Sequence, residues 1–171
     1  VSASAIGYYA ESDRLLHEED APDHSFLSST CVLWEKEAVR FRALGLPTAI
    51  ARVGIVLSKE GGALQEFLKP LRLGIAGIPG NGKQIMSWIH IEDIARMFLN
   101  LLETPSNETF NAVADSPASA NALFDAILHM KRGLKIPIPK IALELALGEM
   151  SIEILKSARV SNQKIRQHGF Q

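Results

Sequence analysis

Residues 48–57 have the sequence Thr48-Ala49-Ile50-Ala51-Arg52-Val53-Gly54-Ile55-Val56-Leu57, which is apolar almost throughout and lacks a clean alternation of polar and apolar positions. This pattern is typical of a parallel strand that is covered on both faces. Covered parallel strands occur almost only in α/β proteins. We therefore predict one strand over residues 48–57, within a mostly parallel sheet.

The segment before this strand has the apolar spacing of a helix. Ser25 can cap its start, Gly45 follows its end, and Pro47 prevents its continuation. We predict a helix over residues 27–44. Its apolar positions recur every three or four residues, as on one helical face, at Leu27, Cys31, Trp34, Ala38 and Phe41.

The rest of the chain continues the alternation of helices and strands. Strands that alternate with helices indicate an α/β fold with a parallel sheet. Residues after Pro117 are expected to form a helical C-terminal lobe without strands. The other predicted segments are an acid-rich loop over 11–24, a short helix over 63–71, a glycine-rich loop over 74–82, helices over 91–103 and 121–131, and a strand over 110–114.

The composition is that of an ordinary globular protein, with 171 residues, 47% hydrophobic and 22% charged. A formal net charge of -1 gives no global attraction to nucleic acid or to a membrane surface, although a local patch stays open. We therefore expect neither nucleic acid nor a membrane as a partner. We expect the protein to be cytoplasmic. Cys31, the only cysteine, excludes an intramolecular disulfide, and the scattered histidines predict no metal site.

Residues 77–83 match the glycine and lysine spacing of a phosphate-binding P-loop, but their context does not. A helix precedes them, and Gln84 follows the lysine where a Ser or Thr is required. We therefore predict a loop that binds no nucleotide. Further along, His90 has either a surface role or a site role, and Asp93 either caps the next helix or serves a site.

Ser4 lies in a small-residue segment at the predicted carboxyl end of a strand. Open α/β sheets bind their ligands at that end. The Ser4 hydroxyl is therefore a candidate site group, with a simple turn residue as the alternative. Cys31 lies on the apolar face of its helix, where an inert packed thiol is the alternative to a nucleophile.

Several segments, taken in order, carry a family resemblance: 2–9, 26–27 with Cys31 and 34–35, 51–58 with 61–64, 87–95, 110–111, and the tail from 147–149 through 169–170. Together they resemble the atypical short-chain dehydrogenases/reductases of the NAD-dependent epimerase/dehydratase family, of the type labelled cell-division inhibitor homologues. The resemblance covers nearly the whole chain, and it depends on the combination of segments rather than on any one of them. It implies that the chain is the C-terminal part of a longer protein.

The resemblance implies the C-terminal half of a Rossmann-like NAD(P)-binding domain over residues 1–115, with an inserted loop and helix over 61–86, and a helical substrate-side lobe over 116–171. The longer protein is expected to bind NADP or NAD. The family's glycine-rich turn, which holds the pyrophosphate, falls upstream of Val1. The chain alone is therefore expected to bind no dinucleotide and to catalyse nothing. Because a strand edge is uncovered, it is expected either to self-associate or to depend on the missing half.

The resemblance also assigns site residues. Ser4 falls on the Ser or Thr that polarises the substrate carbonyl, whereas Cys31 and Glu35 fall on the family's Tyr and Lys. A carboxylate at the Lys position opposes the usual electrostatics, because it raises the pKa of a neighbouring acid. Tyr8 and Tyr9, which are close to Ser4 in sequence, are the candidate replacement proton donors, Tyr8 first, with a packing role as the alternative. The cofactor side is expected at Ser2, Ser4, Arg52, Val53, Gly54 and Ile55, and the substrate side at Cys31, Glu35, His90 and Asp93.

Two functions stay open at this point. In the first, the whole protein is an NAD(P)-dependent epimerase, dehydratase or reductase that acts on a small carbonyl or sugar-like substrate. In the second, the protein binds the cofactor but has lost catalysis, and serves as a binding or regulatory module.

Overall fold

The computed structural model of the chain describes residues 1–148 and 150–171, so Glu149 of the tail motif lies outside the described residues. The strands are β1 Ser2–Ala5, β2 Ser12–Leu16, β3 Ile50–Val53, β4 Ile55–Leu57, β5 Ile75–Pro79, β6 Ile85–Met86, β7 Trp88–His90, β8 Thr109–Ala112, β9 Ala118–Ser119, β10 Leu134–Ile138 and β11 Ala158–Val160. The α-helices are α1 Phe26–Val39, α2 Gly62–Leu71, α3 Ile91–Glu103, α4 Ala120–Met130, α5 Lys140–Leu147, α6 Met150–Leu155 and α7 Gln163–Gln167.

A three-stranded parallel sheet of order β1-β3-β8 forms the centre of the fold. Three further parallel pairs surround it, β4 with β7, β5 with β10 and β2 with β11, and one short antiparallel pair joins β6 to β9. The predicted α/β fold with a mostly parallel sheet is therefore confirmed.

Helix α1 begins where its sequence predicts, because the Ser25 side chain accepts a hydrogen bond from the backbone N–H of Ser28 at 3.3 Å. It ends earlier than predicted, at Val39, and a 3-10 helix, Arg40–Leu44, follows it. The predicted apolar face is also only partly buried, since Cys31 is 3% exposed while Trp34 is 59% exposed.

The strand predicted over 48–57 is two strands, β3 and β4, which separate at Gly54. A Cβ atom at Gly54 would lie 2.6 Å from the Ser87 carbonyl oxygen and 2.8 Å from Val113 Cγ1. The chain changes partner at this close approach, from β8 on one side of Gly54 to β7 on the other. An apolar run shows burial but not a change of pairing partner, and the prediction of one strand was wrong for that reason.

Other corrections concern short strands. The loops predicted over 11–24 and 74–82 contain β2 and β5, and the lobe after Pro117, although helical as predicted, also contains β9, β10 and β11. Each of these strands has five residues or fewer. Their partners lie far along the chain, as in the pairing of β5 with β10. Local patterns therefore could not identify them.

The main core lies between the central sheet and α3, which extends over the predicted residues. In the part of the chain that the structure describes, no helix is long and apolar enough to cross a membrane. Buried members of this core include Ala49, Ala51, Ile89, Ile94, Met97, Leu101, Phe110, Ala112 and Ile165.

Candidate active site

Three polar side chains form a row across the central sheet. Ser4 of β1 is in register with Arg52 of β3, and Arg52 is in register with Asn111 of β8. Each is the penultimate residue of its strand, so the row lies close to the carboxyl ends of all three. Arg52 is 4% exposed and Asn111 is fully buried. Buried polar groups at the ligand-binding end of an open sheet require partners.

Glu35 of α1 supplies the partner for Arg52. Arg52 Nε donates to Glu35 Oε1 at 2.8 Å and Arg52 Nη2 donates to Glu35 Oε2 at 2.9 Å, which makes a bidentate ion pair. The side chains of Arg52 and Glu35 are 5% and 12% exposed. The Ser4 hydroxyl donates to the same Glu35 Oε1 at 2.7 Å. The Glu35 carboxylate is thus charge-compensated by Arg52.

The second half of this network is buried more deeply. Arg52 Nη1 donates to the Tyr9 hydroxyl at 2.9 Å and to the Glu18 carbonyl oxygen at 3.0 Å. The Tyr9 hydroxyl donates to Asn111 Oδ1 at 2.7 Å, and Glu18 Oε1 accepts from the Asn111 backbone N–H at 2.8 Å. Burial raises the pKa of Tyr9 to about 12, against the opposing effect of Arg52. Tyr9 therefore keeps its proton at neutral pH and serves as a fixed hydrogen-bonding group.

Tyr8 contacts the same guanidinium with its ring face. The Arg52 Cζ atom lies 3.4 Å from the centre of the Tyr8 ring, in the arrangement of a cation–π contact. The structure therefore brings the predicted residues Ser4, Tyr8, Glu35 and Arg52 into one cluster. The hydrogen bonds of Arg52 described above are made to protein groups, and its predicted place on the cofactor side stays a prediction.

A cavity of about 220 Å³ opens where β1 and β3 end. We call it the strand-end cavity. The predicted cofactor-side residues Val53, Gly54 and Ile55 line it. The other lining residues are Ala5, Ile6, Gly7, Leu27, Ile85, Met86, Ser87, Lys156 and Ala158.

A larger crevice of about 740 Å³ lies beside it, and Lys156 lines both spaces. The Lys156 side chain is 7% exposed, with Nζ 3.7 Å from Asp23 Oδ2 and 3.4 Å from the Gly7 carbonyl oxygen. Both charges of this pair lie at the wall of the crevice. Sequence reasoning missed Lys156, because nothing in the local pattern around it distinguishes it from a surface lysine.

Four predicted site residues lie apart from this cluster or are enclosed. Ser2 lies at the amino end of β1 and lines a separate groove of about 530 Å³. Cys31 is buried one helical turn before Glu35. His90 caps α3 by accepting from the Glu92 backbone N–H at 3.3 Å. Asp93 pairs with Arg96 at 2.5 Å and lines another cavity.

The comparisons with known proteins agree with this fold. Residues 138–171 match a family described as Domain of unknown function (DUF1731). The epimerase family protein YfhF of Bacillus subtilis is 37% identical over 174 residues, which cover 99% of this chain and 57% of YfhF. The chain therefore spans little more than half the length of this relative.

Solved structures show the same relationship. The human epimerase family protein SDR39U1 (isoform 2), solved with NADPH, matches 99% of this chain and 59% of its own at 28% identity, with a TM-score of 0.84. The UDP-glucose 4-epimerase of Thermus thermophilus, solved with NAD, shares the fold at 16% identity with a TM-score of 0.79, over 99% of this chain and 57% of its own. The chain is thus similar in sequence to epimerase family proteins, and it shares its fold with nucleotide-sugar epimerases.

Proposed function

We propose that the protein containing this chain is an NAD(P)-dependent oxidoreductase of the epimerase type, acting on a small carbonyl or sugar-like substrate. The observation that carries this proposal is that Ser4, hydrogen-bonded to Glu35, directly precedes Ala5, which lines the strand-end cavity where β1 ends. The relatives named above support it, because they are epimerase family proteins or were solved with a nicotinamide dinucleotide.

The strand-end cavity fits one end of such a cofactor. Most of its lining residues are apolar, among them Val53, Gly54 and Ile55, which suits a flat aromatic ring that is polar at its rim. When bound, a nicotinamide accepts or donates hydride. The sequence contains no Gly-x-Gly-x-x-Gly turn to hold the pyrophosphate. The chain is therefore expected to hold the nicotinamide end and the substrate.

Ser4 and Glu35 supply the proton transfer in this proposal. Because the Ser4 hydroxyl donates to Glu35, its oxygen lone pairs stay open to accept from a substrate hydroxyl. The substrate alcohol would lose the hydride of its C–H bond to the nicotinamide that the cavity would hold. Its O–H bond breaks at the same time, Ser4 Oγ takes that proton, and the Ser4 proton passes 2.7 Å to Glu35 Oε1. Carbonyl reduction runs the same path in reverse.

Lys156 supplies positive charge at the wall that the two spaces share. A cation at that position stabilises negative charge that develops on the substrate oxygen. In this proposal Lys156, from the C-terminal part of the chain, takes the place of the lysine that the family pattern would have at position 35. Tyr8 stays a candidate proton donor, although its ring face is held by Arg52.

The second function, a cofactor-binding module without catalysis, is favoured by two observations. Cys31, which falls on the family's Tyr position, is 3% exposed and carries no phenolic proton donor. The Ser4 proton is already held by Glu35, so Ser4 does not donate to a substrate carbonyl in this arrangement. The cell-division inhibitor type, the cytoplasmic location and the division at residues 115 and 116 stay predictions.

Steady-state cofactor turnover by the protein that contains this chain distinguishes the two functions. The assay uses NAD and NADP with a panel of small carbonyl compounds and nucleotide sugars. We expect turnover with one class, and a fall in kcat of about 10²–10⁴ for Ser4→Ala. The control Ser29→Ala, at an exposed serine of α1, should retain the wild-type rate. Saturable cofactor binding with no turnover on any substrate would support the binding module instead.

A further inference from the structure

The amino ends of β5 and β10 form a corner that the proposed function does not use. These strands are parallel, with Ile75 opposite Leu134, and the Leu134 backbone N–H donates to the Gly74 carbonyl oxygen at 2.8 Å. The two loops that lead into the strands therefore lie side by side. We call six exposed side chains in and next to these loops the basic corner: Arg72, Leu73, Met130, Lys131, Arg132 and Leu134.

Large apolar side chains project from the basic corner into solvent. Leu73 and Met130 are each 83% exposed, and Leu134 is 68% exposed. Leu73 lies in the turn after α2, Met130 is the last residue of α4 and Leu134 is the first residue of β10. None of the three lines the four cavities or grooves described above. A clustered apolar surface of this kind marks an interaction site rather than the scattered exposure that every surface has.

The charge of the basic corner has one sign. Residues 69–76 and 126–136 include five of the 18 lysines and arginines of the chain and no aspartate or glutamate. Lys69 and Lys135 pair with acids outside these two segments, Glu66 and Asp125. Among the described residues, Arg72, Lys131 and Arg132 have no carboxylate partner.

We propose that the basic corner binds the surface of an anionic lipid bilayer. The three apolar tips would enter the boundary between headgroups and acyl chains, while the three unpaired cations contact lipid phosphates. Long basic side chains that surround apolar ones suit this boundary, because their stems lie along apolar material and their charges stay in water.

A bilayer fits these observations better than a protein partner does. The six residues of the corner include no Trp or Tyr, the aromatic residues that are enriched at the hot spots of protein interfaces. A lipid surface needs no matching shape. The low net charge of the chain excluded a global attraction to lipid, but it left a local patch open, and the basic corner is such a patch.

Co-sedimentation with vesicles tests the proposal. The probes are vesicles of phosphatidylcholine alone and of phosphatidylcholine mixed with phosphatidylglycerol, with the wild-type chain at low and high salt. We expect binding to the anionic vesicles at least about tenfold tighter than to the neutral ones, and weaker at high salt.

Two triple variants separate the contributions of charge and apolar contact. The variant R72Q/K131Q/R132Q should lose more than tenfold in affinity, because each cation contributes about fivefold near an anionic surface. The variant L73S/M130S/L134S lacks the apolar contact, so it should bind anionic vesicles more weakly than the wild type at low salt and at high salt. A control variant, L44S/L99S/L102S, removes three leucines of similar exposure, 73%, 59% and 62%, outside the corner. It should bind as the wild type does.

Several results would overturn the proposal. They are equal binding to neutral and anionic vesicles, an equal loss in the control variant, and no binding by a wild-type chain that circular dichroism shows to be folded. Binding to soluble polyglutamate as tight as binding to anionic vesicles would also reject a lipid surface, and would identify an acidic protein as the partner class.

Discussion

Replacing Arg52 by Met should destabilise the protein strongly, because Arg52 compensates a buried carboxylate. The substitution removes both hydrogen bonds of the ion pair with Glu35 and the two that Nη1 makes to Tyr9 and Glu18. Removing one partner of a buried pair costs about 3–5 kcal/mol. In a protein of this size each 1 kcal/mol shifts Tm by about 2–4 °C, so the expected fall in Tm is about 6–20 °C.

A double-mutant cycle in urea unfolding measures this effect. The double variant E35M/R52M removes both charges, and it should recover most of the lost free energy of unfolding, because apolar residues of similar volume replace buried ion pairs at little cost. The coupling between the two positions should therefore reach about 2 kcal/mol or more.

Arg40→Met is the matched control. Arg40 pairs with Glu37 on the same helical segment at 2.7 Å, but these side chains are 75% and 63% exposed. Its loss should cost about 0–1 kcal/mol. The reasoning is wrong if Arg52→Met is no more destabilising than Arg40→Met, or if the effects of Glu35→Met and Arg52→Met simply add.

Three other predictions concern stability and binding. The pKa of Tyr9 is raised from 10.0 to about 12 in the folded protein, so the unfolded chain loses this proton first. The free energy of unfolding should therefore fall as the pH rises from 10 to about 12. Tyr9→Phe should remove this pH dependence in urea titrations at alkaline pH, and an unchanged dependence would contradict the assignment. Gly54→Ala should lower the free energy of unfolding by about 1–3 kcal/mol, because the added Cβ would lie 2.6 Å from the Ser87 carbonyl oxygen. The control Gly61→Ala, whose Cβ would have no other atom within 4 Å, should leave the free energy of unfolding nearly unchanged. The isolated chain should show no saturable change in nicotinamide fluorescence up to millimolar NADPH, and a micromolar Kd would show that this chain alone builds a complete dinucleotide site.

Sequence patterns predicted the elements whose signals are local. The serine cap of α1 and the apolar spacing of α3 are such signals, and both elements begin as predicted. The change of strand partner at Gly54 and the pairing of β5 with β10 depend on contacts between distant segments. Periodicity carries no information about such contacts.

The same distinction applies to the candidate site. Ser4 and Glu35 were named from the sequence, and the structure joins them by a hydrogen bond. Arg52 and Asn111 are polar residues inside otherwise apolar strands, which predicts that each has a buried partner. Only the register of β1, β3 and β8 shows that they form one row. Lys156 enters the site through the path of the C-terminal lobe, which no local pattern indicates.

A structure of the protein that contains this chain, crystallised with NAD or NADP, tests the central claim most directly. The account predicts that the nicotinamide ring occupies the strand-end cavity against Val53, Gly54 and Ile55, with Ser4 still bonded to Glu35 and its lone pairs facing the substrate side. A nicotinamide ring bound elsewhere, or a Ser4 hydroxyl turned away from both Glu35 and the substrate space, would contradict it.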